Sequence, residues 1–278
     1  MTGDLITSGA NPFFRRVREL ATGRRRKGET SLYCEGVQPV WRALEAGADI
    51  EALVVAPALV DEASPAARLL DRAVDAGHRV VRVSSELFGR LSDRDGPSGI
   101  AAVVRRAECS LEELPIGEDS VVVVLHEVAN PGNLGSILRT ADAAGAAGVV
   151  LSGATADPFS PAAVKASMGS LFNVAIARVP EIDDVFDWAA GAGVTAVTTS
   201  EDAARSYDAV DYPRPLALVF GSEGEGLAPE VLGRGSLAVR IPMVGGASSL
   251  NLSVAVGVML FEVQRGRLEA RGGAAPEL

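Results

Sequence analysis

Apolar positions recur along the chain with two periods, and their alternation predicts a series of strands and helices. Residues 11–21 predict a short helix, with Asn11 as its cap, Pro12 at the first helical position, and Phe13, Val17 and Leu20 on one side. Short apolar runs at 31–35, 52–56, 80–83 and 99–105 predict strands, separated by helical spacing at 38–45, 65–76 and 84–91. A charged stretch containing Pro and Gly, 106–119, interrupts the pattern. Beyond it the unbroken Val run of 120–125 fits a strand buried on both faces of a parallel sheet. Helices then follow at 135–144, 161–168 and 183–190, and strands at 149–152, 172–178, 194–199, 215–220 and 237–241. A terminal helix runs through Val254, Val258 and Leu260. This alternation implies two α/β units, the second with a mainly parallel sheet. The expected division is a first domain over 1–107, a linker over 108–119, a second domain over 120–270 and a disordered tail over 271–278.

With 278 residues and no apolar run of eighteen, the chain reads as a soluble cytoplasmic protein, outside the membrane. It lacks the order of a signal peptide. Cys34 and Cys109 have no metal-ligand spacing and read as free thiols, and His78 and His126 are the only histidines, so no metal site is expected. The net charge of −10 argues against a protein that coats nucleic acid with its whole surface. Residues 13–27 are the exception: Arg15, Arg16, Arg18, Arg24, Arg25, Arg26 and Lys27 face Glu19 alone, a local charge of +6. Phosphate binding and a solvated helix end explain this turn equally well.

Ligands of open parallel sheets bind at the carboxyl ends of the strands, which directs attention to the loops after Leu125, Phe220 and Ile241. The first leads from His126 into a helix with Asn133 in its first turn and Arg139 less than two turns on. Flanked by Leu138 and Ala141, Arg139 calls for an anion, either Asp142 or a phosphate. The second loop, Gly221-Ser222-Glu223-Gly224-Glu225-Gly226, has neither the glycine order of a dinucleotide fingerprint nor the Lys-Ser/Thr of a phosphate loop. Its glycines admit a ligand close to the backbone, and its carboxylates favour one with hydroxyls, amines or positive charge over a nucleoside triphosphate. In the third, Gly245 and Gly246 permit unusual backbone angles while Ser249 or Asn251 caps the following helix. By itself this loop is also an ordinary strand-to-helix connection.

Together the three loops carry a resemblance. The motifs Asn133-x-Gly135-x-x-x-Arg139-Thr140, Gly221-x-Glu223-x-x-Gly226-Leu227, and Ile241-Pro-Met followed by Ser249-Leu-Asn251-x-Ser253-x-Ala255 stand in the order of SpoU-type (TrmH-like) RNA 2′-O-ribose methyltransferases, of the SPOUT superfamily. Upstream, Asn11-Pro with its basic turn, Tyr33-Cys-Glu-Gly-Val and Ala43-Leu-Glu-Ala-Gly resemble that family's L30e-like substrate-binding domain.

The resemblance implies a smaller N-terminal L30e-like α/β domain and a C-terminal parallel-sheet domain tied in a trefoil knot, an exception to the unknotted rule. It also implies a homodimer packed through the C-terminal domains, with each site completed by the partner chain. The implied cofactor is S-adenosyl-L-methionine, held by Thr199, Gly221, Ser222, Ile241, Ser249 and Leu250. Arg139 is implied to act on the 2′-hydroxyl, as base or by positioning it with an RNA phosphate, and Asn133, Glu223 and Asn251 to orient the reacting groups. Arg24, Arg25, Arg26 and Lys27 would hold structured RNA. The expected substrate is 23S ribosomal RNA, with antibiotic resistance as one possible role. Transfer RNA methylation, a non-catalytic RNA-binding or assembly protein, and a nucleotide-dependent enzyme using the Gly221 loop remain as alternatives. His126 reads as a strand-end polar residue, Asp183 and Asp184 as helix caps, and Trp41, Trp188, Phe159 and Phe172 as core.

Overall fold

The computed structural model describes residues 4–24, 28–93 and 96–270. Arg25, Arg26, Lys27 and the expected tail at 271–278 lie outside the described residues. The elements in chain order are α1 (Pro12–Ala21), β1 (Ser31–Glu35), α2 (Val37–Glu45), β2 (Ile50–Val55), α3 (Pro65–Asp75), β3 (Val80–Arg82), α4 (Ser85–Gly89) and β4 (Ile100–Arg105). They continue as β5 (Val121–His126), α5 (Pro131–Ala143), β6 (Gly148–Ser152), α6 (Pro161–Ser167), β7 (Ala175–Val179), α7 (Ile182–Gly191) and β8 (Thr195–Thr199). The last are β9 (Arg205–Ser206), β10 (Leu216–Phe220), α8 (Pro229–Leu232), β11 (Leu237–Arg240) and α9 (Leu252–Ala270). No helix among them is long and apolar enough to cross a membrane.

Two compact units result. The first contains Met1–Ala107 and Pro158–Asn173; the second contains Glu108–Asp157 and Val174–Leu278. In the first, a four-stranded sheet has the order β1-β4-β2-β3, with β4 antiparallel to both neighbours and β2 parallel to β3. The Asn11 side chain caps α1, accepting from the amides of Phe13 at 2.9 Å and Phe14 at 3.3 Å. Phe14, Val17 and Leu20 then enter the core, a spacing of three that displaces Phe13 to the flank, where the Arg79 guanidinium lies 5.3 Å from its ring centre.

Arg16 lies on the flank of the same helix and is not free to meet a phosphate. Its guanidinium pairs with Glu29 at 2.8 and 3.0 Å and with Glu51 at 2.5 and 2.9 Å, and reaches the buried Ser31 hydroxyl at 3.1 Å. Hydrogen bonds from Arg16 draw the Glu29 carboxyl down to about 2, and the Glu51 carboxyl is lowered by the same partner.

The second unit is built on a seven-stranded sheet, β7-β6-β5-β10-β8-β11-β9, in which every pair is parallel. Chain order reverses beside β5: β6 and β7 extend one way, and β10 inserts on the other side. Helix α9 lies along α5, and its Gln264 amide donates to the Ala144 carbonyl at 2.6 Å.

Several expectations change. The stretch 108–119 is packed: the Cys109 amide donates to Ile176 O at 2.9 Å, and Leu111 and Leu114 are buried against the β5–β10 face of the sheet. Its carboxylates disguised that apolar spacing. The strand expected from Phe172 is shorter, because Ser170–Phe172 make a 3₁₀ turn before β7. Asp183 and Asp184 occupy the first turn of α7 behind the cap position, Glu181, and Asp183 pairs with Arg234 at 2.6 Å.

Candidate active site

The carboxyl ends of β5, β8, β10 and β11 open into one cleft of about 1180 Å³, walled also by the first turns of α5 and α9. It lies at the reversal of strand order, where an open parallel sheet leaves a crevice between diverging connections. Thr199, Gly221, Ser222, Ile241, Ser249 and Leu250 all line it. So do Asn133, Glu223 and Asn251, which come from three loops 90 and 118 residues apart in pairwise separation from Asn133.

Hydrogen bonds link those three side chains. Asn251 Nδ2 donates to Asn133 Oδ1 at 3.1 Å, and Asn133 Nδ2 donates to Glu223 Oε1 at 3.1 Å. Local backbone structure sets each position. Asn130 caps α5, its side chain accepting from the amides of Gly132 at 2.8 Å and Asn133 at 3.2 Å, with Pro131 at the first helical position. The helix thus has Asn133 in its first turn, ahead of the start at 135 that apolar spacing alone suggested, and Asn130-Pro131 is the same capping signal that marks α1. At α9 the Asn251 carbonyl accepts from Val254 N and Ala255 N at 3.0 Å each, and its side chain accepts from Ser253 N at 2.9 Å. Asn251 is therefore both cap and site residue.

The glycines act otherwise than the sequence suggested. A β-carbon at Gly221 would lie 2.1 Å from the carbonyl carbon and oxygen of Gly226, because Ser222 and Gly226 exchange backbone hydrogen bonds at 3.2 and 3.1 Å and fold the loop onto itself. Gly226 has φ +68, in the left-handed region. Gly221 is required by the chain's own return. Gly245 and Gly246 are absent from the positive-φ glycines, so their exposed turn needs no unusual backbone angle.

Arg139 does not join the cluster. It is exposed on α5 and is not part of the cleft wall, six residues beyond Asn133. That separation means about 9 Å of rise and a face about 120° away. Its guanidinium is exposed, so the burial argument for a bound anion does not hold. Arg24 is exposed in the first unit. At the end of β5, His126 Nδ1 lies 3.0 Å from the buried Ser152 hydroxyl.

Around the cleft, Glu201, Asp202, Glu223 and Glu225 supply four carboxylates against one guanidinium, Arg240, which donates to the Ala203 carbonyl at 2.9 Å, while Phe220, Leu227 and Met259 give apolar walls. This combination suits an organic cation with a flat apolar part and disfavours a polyphosphate. Among the described residues no cluster of three or more His, Cys, Asp or Glu side chains is arranged to hold a metal.

Comparison with known proteins gives the same picture. Residues 120–261 match the SpoU rRNA Methylase family, and residues 11–102 match the MRM3-like substrate binding domain. A 23S rRNA (uridine(2479)-2′-O)-methyltransferase of Streptomyces viridochromogenes is 34% identical over 262 residues, covering 91% of this chain and 88% of the relative. A 23S rRNA (guanosine(2553)-2′-O)-methyltransferase of Bacillus subtilis is 27% identical, covering 93% and 98%. Among solved structures, an AdoMet-bound rRNA methyltransferase from Sinorhizobium meliloti superposes with a TM-score of 0.83 at 36% identity, covering 94% of this chain and 97% of that one. With the family match over half of the chain and a relative of this identity along nearly all of it, the chain belongs to the SpoU rRNA methylase family.

Proposed function

We propose that the protein transfers a methyl group from S-adenosyl-L-methionine to a ribose 2′-hydroxyl of structured ribosomal RNA, in the cytoplasm, with 23S RNA as the target. The observation that carries this reading is the linked Asn251, Asn133 and Glu223 in the wall of an acidic cleft at the carboxyl ends of a parallel sheet. The cofactor supplies an electrophilic methyl on a cationic sulfur. A positively charged, polyhydroxylated ligand fits four carboxylates and the small polar residues Thr199, Ser222 and Ser249, with Gly221, Ile241 and Leu250 completing its wall. The 23S preference is supported by the names of the two relatives, whose own targets lie in that RNA. Protection of the host ribosome from an antibiotic is one use of the same reaction.

Within one chain, Asn133, Glu223 and Asn251 hold the reacting groups in place, and a fixed orientation lowers the barrier by removing motion from the transition state. Arg139 acts in the cleft of a second copy, where its permanently charged guanidinium positions an RNA phosphate and the hydroxyl. Two features support a dimer: Arg139 lies outside its own cleft, and α9 exposes Val254 (50%) and Phe261 (55%), seven residues apart on one face. The trefoil knot is part of this proposal, supported by the placement of β10 between β5 and β8. The first unit, with Arg24, Arg25, Arg26 and Lys27, holds the RNA through phosphate contacts.

The test is transfer of labelled methyl to ribosomal RNA lacking the modification, followed by mapping of the product. Incorporation into a ribose 2′-oxygen is expected, with Arg139→Ala losing transfer while retaining cofactor binding. No incorporation by the wild-type protein would remove the enzymatic reading in favour of a non-catalytic RNA-binding protein.

A further inference from the structure

The cluster in the cleft has a direction, and that direction is set outside the cleft. Ser253, in the first turn of α9, meets Asn251 Oδ1 with two donors: its backbone N–H at 2.9 Å and its hydroxyl at 2.6 Å. A backbone N–H only donates, so the Asn251 atom facing it must be the carbonyl oxygen. This turns Asn251 Nδ2 toward Asn133 Oδ1, and the Asn133 amide then has only its nitrogen left for Glu223. Donors therefore run one way, from Ser253 through two amides to a carboxylate that can only accept. Reversing either amide would oppose like atoms at both of its ends.

From these contacts we infer that Ser253 is a positioning residue for methyl transfer: its backbone N–H sets the orientation of the Asn251 amide, and its hydroxyl holds that amide in place and through it Asn133 and Glu223. The inference rests on the methyl-transfer reading above. Ser253 does not line the cleft, so it acts through Asn251. Its hydroxyl is not needed to cap the helix, because the backbone amide of the same residue already bonds the Asn251 side chain. What the hydroxyl adds is a second, short hold on Oδ1.

Steady-state kinetics of Ser253→Ala and Ser253→Thr test this, with the wild-type protein assayed first on RNA lacking the modification. Ser253→Ala leaves one donor of two and is expected to lower kcat about five- to tenfold, the factor typical of one lost hydrogen bond. The KM for S-adenosylmethionine should stay within about twofold and the melting temperature unchanged, since neither the pocket wall nor the cap is altered. Ser253→Thr keeps the hydroxyl and should return kcat to within about twofold of wild type. The inference is overturned if Ser253→Ala turns over normally, if its loss follows KM or melting temperature, or if the threonine variant is no better. An inactive wild-type protein would remove the methyl-transfer reading and this inference with it; an active one beside an unaffected Ser253→Ala removes the inference alone.

Discussion

At Gly221 the site depends on an atom that is missing. An alanine there would set its β-carbon 2.1 Å from the Gly226 backbone and 2.5 Å from Leu227 N, a conflict that only movement of the loop relieves. Overpacking of this kind costs about 1–3 kcal/mol where neighbours yield, and here both neighbours are main chain. Gly221→Ala is expected to weaken S-adenosylmethionine binding about tenfold or more by calorimetry, while β10 below keeps its pairing; unchanged affinity would mean the hairpin is not part of the pocket. The three glycines of this loop were legible as a special turn, but their reason was not: a string of residues shows that backbone must come close to something, not that the something is five residues ahead in the same chain. Asn251 shows the opposite case. Helix cap and ligand contact were competing explanations, and the residue does both, because its carbonyl side faces Ser253 while its amide faces Asn133. Arg139 was legible as a residue needing an explanation, but its exposure could not be read from apolar neighbours on a helix whose packed face was unassigned.

Elements with a strong period and a capping residue were read nearly to their ends. α1, α2, α3 and α7 fall within two residues of expectation, since Asn11, Ser64 and repeated apolar spacing leave little choice. The two-residue β9 and four-residue α8 are too short to develop a period, and both exist through pairing or packing with sequence-distant partners. In 108–119, Leu111 and Leu114 are buried among acidic residues that read as solvated. Helix α9 tests the proposed association. Its Val254 and Phe261 are apolar and half exposed on one face, while Met259, Leu260 and Val263 face inward. Placing a charge there by Phe261→Glu should convert a dimer to a monomer in light scattering at micromolar concentration, with the helix content of the wild type. A variant that stays dimeric would move the interface off this face.

At the scale of the molecule, alternation of strand and helix was enough to establish α/β architecture and a parallel second sheet. It was not enough for strand order, since β10 reaches its place between β5 and β8 by pairing with strands 95 and 21 residues away in register. The cleft follows from that order and was anticipated only because the rule for parallel sheets names strand ends in advance. Net charge misleads in a similar way. The basic segment near the N-terminus includes Arg16, whose charge is committed to Glu29 and Glu51. The Glu29 carboxyl titrates at about 2 when folded and 4.5 otherwise, so its share of stability is complete above 4.5 and is lost as pH falls toward 2. Amide protection factors in β1 and β2, corrected for the intrinsic exchange rate at each pH, should fall over that window. In Arg16→Ala the dependence should reverse, because two neighbouring carboxylates without a cation are relieved by protonation; an unchanged pH profile would show that the pair contributes nothing.

The first unit recruits Pro158–Asn173 from the middle of the second unit's sequence. The polypeptide therefore passes between the two bodies three times. A domain encoded by one uninterrupted stretch can be traded between genes at a single junction. Here a junction after residue 107 would separate the first unit from Phe159, Ala163, Val164 and Leu171, which are buried within it. A first unit cut free of the second would therefore have to carry both segments to keep its core.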